Sequence, residues 1–200
     1  MEKNWHGIMK IVEIQHLDSH NRILWQDHDI RNMLHYDGED FILQAAFSGG
    51  RISTVIPESY YLGLDARTVI SAGDTMDTIG ANLEPTTAFG YSRQQLSSSG
   101  DFIVGQSQNT PNYLASSPIV AFTARGGHWG PVLNLFLTTA EDETGYLISS
   151  AKFSSPLTVN SGDSITMRIA LMLSDSSTSR TTTGGGTIAG FAVPLPEWAS

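Results

Sequence analysis

The chain has 200 residues, 40% of them hydrophobic and 16% charged, with no cysteine and 11 Lys+Arg against 20 Asp+Glu, a formal net charge of -9. A chain of this length buries enough surface to fold as one domain without a metal or disulfide. The lack of cysteine excludes disulfide scaffolds, Cys-based zinc sites, iron–sulfur clusters and thiol nucleophiles, and the acidic balance argues against nucleic acid, whose phosphates select a basic face.

Ser and Thr supply about a fifth of the chain, Gly adds 19, and Lys occurs only as Lys3, Lys10 and Lys152. Such a composition fits short strands joined by turns rather than helices. Residues 1–84 hold 13 acids against 6 Lys/Arg, whereas 85–200 hold 7 against 5, so the negative field is concentrated in the N-terminal part. The N-terminus lacks the apolar core of a signal peptide, no run approaches the ~18 apolar residues of a membrane span, and a soluble chain is expected.

In chain order, Ile8–Gln15 reads as a strand, 18–22 as a turn, and Ile23–Gln26 as the returning arm of a hairpin. Ile30, Met33, Leu34, Phe41, Ile42, Ala45 and Ala46 then follow helical spacing, which predicts a helix over about 28–47. Asp27 or Asp29 would cap it, Gly38 would split it, and Gly49-Gly50 would end it. From residue 51 the pattern turns to β: Ile52–Ile56, Tyr60–Leu64, a single helical turn at Asp74–Ile79, then Phe89–Leu96, Asp101–Gln106, Tyr113–Ala115, Ile119–Ala124, Val132–Thr138, Tyr146–Phe153 and Ser164–Leu173. Strands at this spacing, separated by Gly, Pro, Asn and Ser, are the signature of a sandwich or barrel. Residues 174–186 are nearly all Ser, Thr and Gly, a linker composition. The apolar stretch 187–200 beyond them, with Pro194 and Pro196, needs a surface to cover it.

Five of six histidines fall within the first 35 residues. His16, Asp18 and His20 would share one side of an extended strand, with Asp27, His28, Asp29 and His35 nearby, but a polar hairpin turn explains them without zinc or calcium, and no metal motif accompanies them. The serines at 97–99, 116–117, 149–150 and 154–155 lack a nucleophile elbow and read as strand-edge and turn residues. The acid groups 37/39/40, 74/77 and 141–143 suit capping and solvation better than a glycosidase pair. The glycines at 126–127 and 184–186 lack the lysine of a phosphate loop.

Two motifs are more particular. A ligand pocket is the alternative to a structural role at both; in Tyr60-Tyr61-Leu62-Gly63-Leu64-Asp65-Ala66-Arg67, Tyr61 is expected to be a structural anchor and Asp65 and Arg67 to tie down a loop. In Gly126-Gly127-His128-Trp129-Gly130-Pro131, Trp129 is a buried anchor at a β-corner and Pro131 fixes the turn.

At these residues the sequence resembles a family of virion structural proteins from tailed bacteriophages and environmental phage genomes. The shared stretches are LWQDHDIRNMLHYDGEDFILQAAF, YYLGLDAR, EPTTAFGYSRQ, GGHWGPVLNLFL, GYLISSAKFSSP and NSGDSI, and they cover about residues 12–173. The resemblance implies a β-rich particle subunit with no catalytic residues and no cofactor.

The expected architecture is mainly β: a single jelly-roll-like sandwich over 1–173 with an N-terminal helical segment, a linker at 174–186 and an extended C-terminal arm at 187–200. The expected role is a non-enzymatic capsid decoration or cement protein, homo-oligomeric, in the virion after assembly in the host cytoplasm, and touching neither nucleic acid nor membrane. Its partners would be major capsid or neck and tail proteins, with Phe191, Val193, Leu195 and Trp198 as assembly contacts. A neck or tail post is the alternative within that class. A carbohydrate-binding sandwich stacking sugars on Tyr60, Tyr61, Tyr91, Tyr113 or Trp129 is the alternative outside it.

Overall fold

The computed structural model describes residues 7–47, 56–79, 83–106 and 113–173. These form two antiparallel sheets. The first contains β1 (Gly7–Leu17), most of β2 (Ile23–Leu34), β5 (Ile103–Gln106), β6 (Tyr113–Ser116), β7 (Val120–Thr123) and β10 (Ser164–Leu173). The second contains β3 (Ser59–Asp65), β4 (Gln94–Ser97), β8 (Trp129–Thr138), β9 (Leu147–Val159) and the end of β2. The continuous order is β4-β3-β8-β9-β2-β1-β10-β6-β5, with β7 also on β10. The expected linker 174–186, the arm 187–200 with Phe191, Val193, Leu195 and Trp198, and positions 52–55 of one expected strand lie outside the described residues.

The first hairpin is set by its turn. Asp18 accepts backbone N–H groups from His20 (2.8 Å) and Arg22 (2.9 Å) and pairs with the Arg22 guanidinium at 2.6 Å. The Arg22 N–H, followed by that guanidinium, holds the Asp18 carboxyl down to about 2 despite the opposing effect of burial.

The expected helix over 28–47 is corrected here. Residues 28–34 belong to β2, and α1 is Tyr36–Phe47. The periodicity misleads because β2 changes phase. Trp25 and Asp27 face inward, then Ile30, Asn32 and Leu34 do, and the step falls at Asp29, whose φ is 58°. Asp tolerates this left-handed conformation better than most residues. One strand with a slipped alternation thus imitates a 3.6-residue repeat. The slip also has a structural use: up to Arg31 the strand pairs with β1, and from Asn32 to Leu34 it pairs with β9, joining the sheets. Asp27 and Asp29 therefore cap nothing, and Asp37 and Glu39 fill the first turn of α1, where the helix dipole favours acids. Gly38 does not split the helix. It lets α1 approach β9 so closely that a Cβ there would collide with the Ile148 backbone.

Both sheets feed one main core: Ile11, Ile14, Ile165, Met167 and Ile169 from the first, and Leu62, Leu64, Leu135, Leu137, Ala151 and Phe153 from the second. Full burial of each of the Ile, Leu, Met and Phe side chains contributes about 1.5–3 kcal/mol. Phe136 alternates to the other face of β8, where Leu147 and the short helix α2 (Met76–Ile79), through Met76 and Ile79, enclose it. No helix among the described residues is long and apolar enough to cross a membrane.

Candidate assembly surfaces and the polar anchors behind them

Asp65 ends β3 directly opposite Asn134 of β8, and its side chain is 0% exposed. Oδ1 accepts the Arg67 N–H (2.7 Å) and the Asn134 amide (3.2 Å), while the Arg67 Nε lies 3.4 Å from Oδ2. Burial pushes the Asp65 carboxyl above its usual range, and the Arg67 N–H and guanidinium oppose that. Asn134 also donates to the Arg67 carbonyl at 2.6 Å, and Arg67 Nη1 reaches the Thr78 carbonyl at 3.1 Å. Asp65 and Arg67 thus fasten the loop after β3. Lys152 donates to the Thr68 carbonyl further along it. Tyr61, four residues earlier on β3, is half-buried between Gln95 and Thr138.

The start of α1 is tied to the same region. His35, fully buried, places Nε2 2.9 Å from Ser150 Oγ. Its N–H donates to the Ile148 carbonyl, the Tyr36 N–H to the Ala72 carbonyl, and the Leu147 N–H to Asp37 Oδ2. Burial drives the His35 pKa below the usual imidazole value, with Asp74 pulling the other way. The His35–Ser150 distance alone would suit a nucleophile and its base. Both side chains are buried, however, and neither borders the nearby open hollow of about 280 Å³ edged by Asp37, Asp77, Glu143 and Tyr146. Ser149 and Ser150 are buried within β9, which corrects their reading as edge or turn residues.

The Trp129 corner is a third anchor. The indole is buried and donates to the Phe89 carbonyl at 3.1 Å. It meets Tyr91 edge-on at 5.8 Å, and Tyr91 stacks on Phe122. Gly127 is required because a Cβ there would enter the Phe89 ring. Pro131 follows a cis bond from Gly130 and is exposed.

Sequence reasoning missed a fourth anchor. Tyr91 donates its hydroxyl hydrogen to Glu84 and accepts the Leu64 N–H at 2.9 Å. Burial, then Glu84, raises the Tyr91 pKa well above its usual value. Arg93 grips both Glu84 oxygens, donates to the Asp142 carbonyl and covers the Phe136 ring at 5.3 Å. The signal was present in EPTTAFGYSRQ, whose acid, phenol and guanidinium lie outside any amphipathic repeat.

The anchoring groups are thus spread along the chain: His35 and Asp37; Asp65 and Arg67; Glu84, Tyr91 and Arg93; Trp129 and Asn134; Ser150 and Lys152; and Asp163, which sits 3.5 Å from the buried His16. Their common effect is to hold loops and α1 rigidly on the sheets. His16 and His35 lie on different contacts, and among the described residues no three His, Asp or Glu converge as a metal site. Trp129 and Tyr91 are buried and are corrected as sugar-stacking platforms; of the five aromatic residues considered, only Tyr113 is exposed.

What the anchors present is apolar surface. On α1, Tyr36, Leu43 and Phe47 fall at i, i+7 and i+11, one stripe of the helix, and all three are exposed, Phe47 by 80%. At the end of the first sheet Ile103, Val104, Tyr113 and Ile119 are exposed as well. Exposed apolar surfaces of this kind are suited to burying area against other proteins. Comparisons with protein-family models, with curated proteins and with solved structures returned no match.

Proposed function

We propose that this chain is a non-enzymatic structural subunit of a tailed-phage virion, a capsid decoration or cement protein that stabilises the head by bridging neighbouring subunits. The observation that carries the reading is the outward apolar stripe of α1. A helix held this firmly by His35, Asp37 and Gly38, yet turning Tyr36, Leu43 and Phe47 to solvent, is a preformed contact for a protein partner. In this reading the two sheets form a jelly-roll-like sandwich, the C-terminal residues form an arm, and repeated copies make the same contact by symmetry. The partner is the major capsid protein; a neck or tail protein is the alternative position in the same particle. The excess of acids in residues 1–84 favours the outer face, away from packaged DNA.

Mass spectrometry of gradient-purified particles from cells producing the chain tests the reading. Stoichiometric peptides from this protein in the particle band support it, and their confinement to the soluble fraction overturns it.

A further inference from the structure

The strand order ends at β4 on one side and at β5 on the other, and the two edges differ in chemistry. β4 is Gln94-Gln95-Leu96-Ser97, and Leu96 is buried, so what this edge exposes is polar. β5 is Ile103-Val104-Gly105-Gln106. It pairs with β6 on one side, and on the other it has no partner strand among the described residues. Adjacent strand residues point to opposite faces, so the 76% exposure of Ile103 and 73% exposure of Val104 leave aliphatic side chains open on both faces of this edge. A partner lying flat on the sheet would cover one of them. A strand placed alongside covers both.

Proteins normally charge or cover such an edge, yet neither β5 nor β6 carries a charged residue. That selects the occupant. A basic partner finds no acid here to pair with. Two copies of a chain at -9 repel each other, and an uncharged edge is a place where they meet without opposing like charges. We infer that β5 is a self-association edge, at which two copies of this chain pair β5 with β5, antiparallel, about a two-fold axis.

Symmetry restricts the register. A two-fold axis that makes the edge strands antiparallel stands perpendicular to the sheet and keeps each face on its own side. Opposed residues must share a face, so one residue lies across from itself. Centred on Val104, the pairing sets Val104 against Val104 of the second copy, a β-branched cross-strand pair, and Ile103 against Gly105. At Gly105 a Cβ would meet nothing, which leaves room for the opposing Ile103 side chain. Centring on Ile103 would bring Asp101, whose Oδ2 accepts the Ser97 N–H at 2.7 Å, into the seam. Centring on Gly105 would oppose Val104 with Gln106. Both copies use the same edge, so the assembly closes at two. Edges of four residues bury less than the ~800 Å² per partner of a standard interface, so the dimer is of the weak, concentration-dependent class. Dimerisation of the isolated protein is independent of the virion reading.

The cysteine-free sequence allows single-cysteine scanning of the full-length chain. Directly opposed residues hold their Cβ atoms about 4.5–5.5 Å apart and diagonal ones are about 7–8 Å apart, whereas a disulfide needs about 3.5–4.5 Å. Under mild oxidation V104C should form cross-linked dimers at least about tenfold faster than I103C or the α1 control L43C. Mixed I103C and G105C chains should link to each other faster than either links to itself. Sedimentation equilibrium of the unaltered chain supplies the second readout. It should show a concentration-dependent dimer, whose dissociation constant V104D raises at least about tenfold and L43D leaves unchanged. The V104D melting midpoint in dilute solution should match the parent, because Val104 is exposed. A monomer at every concentration up to about 1 mM, equal cross-linking at positions 43, 103 and 104, or a dimer indifferent to V104D would each overturn the inference.

Discussion

Arg93 lies across both carboxylate oxygens of Glu84, and the two side chains are only 5% and 6% exposed. The pair joins the segment before β4 to the loop between β8 and β9 through the Asp142 carbonyl. Removing one member leaves a buried charge unmatched. Glu84→Gln should therefore cost about 3 kcal/mol, a drop of roughly 6–12 °C in thermal midpoint at this chain length. The double variant Glu84→Gln/Arg93→Met should recover at least half of that loss. Paired urea and thermal melts check both values, and a single variant as stable as the parent would contradict the assignment.

His35 predicts a pH dependence. Its folded pKa lies below the ordinary value of 6.5. Above that pH neither state binds the proton. As pH falls through 6.5 the unfolded chain protonates first, so stability declines, and it levels off once the folded ring also protonates. The melting midpoint should fall between pH 7 and pH 5, and His35→Gln, though less stable at pH 7, should show a shallower fall. Identical slopes for parent and variant would rule His35 out as the source.

Gly38 offers a test in which helix propensity and packing disagree. Propensity alone gives Ala an advantage of about 1 kcal/mol within a helix. At Gly38 the added methyl meets the Ile148 backbone, which cannot move aside without disturbing β9. Gly38→Ala should destabilise by about 2 kcal/mol, read by urea denaturation. A stabilised variant would mean that α1 docks less closely than described.

These anchors show where sequence reading works. Ser164–Leu173 was legible to the residue because Ile165, Met167 and Ile169 alternate without interruption and a turn precedes them. The Asp18–Arg22 turn and the burial of Trp129 were legible from local chemistry. β2 was not, because the phase change at Asp29 depends on a crossing between sheets that only the tertiary pairing reveals. The candidate surface was half legible. Phe41 faces the core, as the helical pattern predicts, but the same pattern counts neither Leu43 nor Phe47 among the buried residues and cannot tell that both are exposed. Glu84, Tyr91 and Arg93 escaped because their partners, the Leu64 N–H and the Asp142 carbonyl, are remote in sequence.

The α1 stripe separates stability from assembly. Leu43→Asp and Phe47→Asp change exposed side chains and should alter folding free energy by no more than about 0.5 kcal/mol. Incorporation into purified particles, measured by quantitative mass spectrometry against the parent chain, should nevertheless fall severely. Normal incorporation of both variants would move the contact to another surface.

Cryo-electron microscopy of particles containing this chain tests the central claim most directly. Density for the two-sheet body should lie at symmetric positions on the outer surface of the head, with Tyr36, Leu43 and Phe47 buried against the neighbouring protein. A reconstruction in which peptides of this chain are present but α1 faces solvent, or in which the particle lacks the chain altogether, would contradict it.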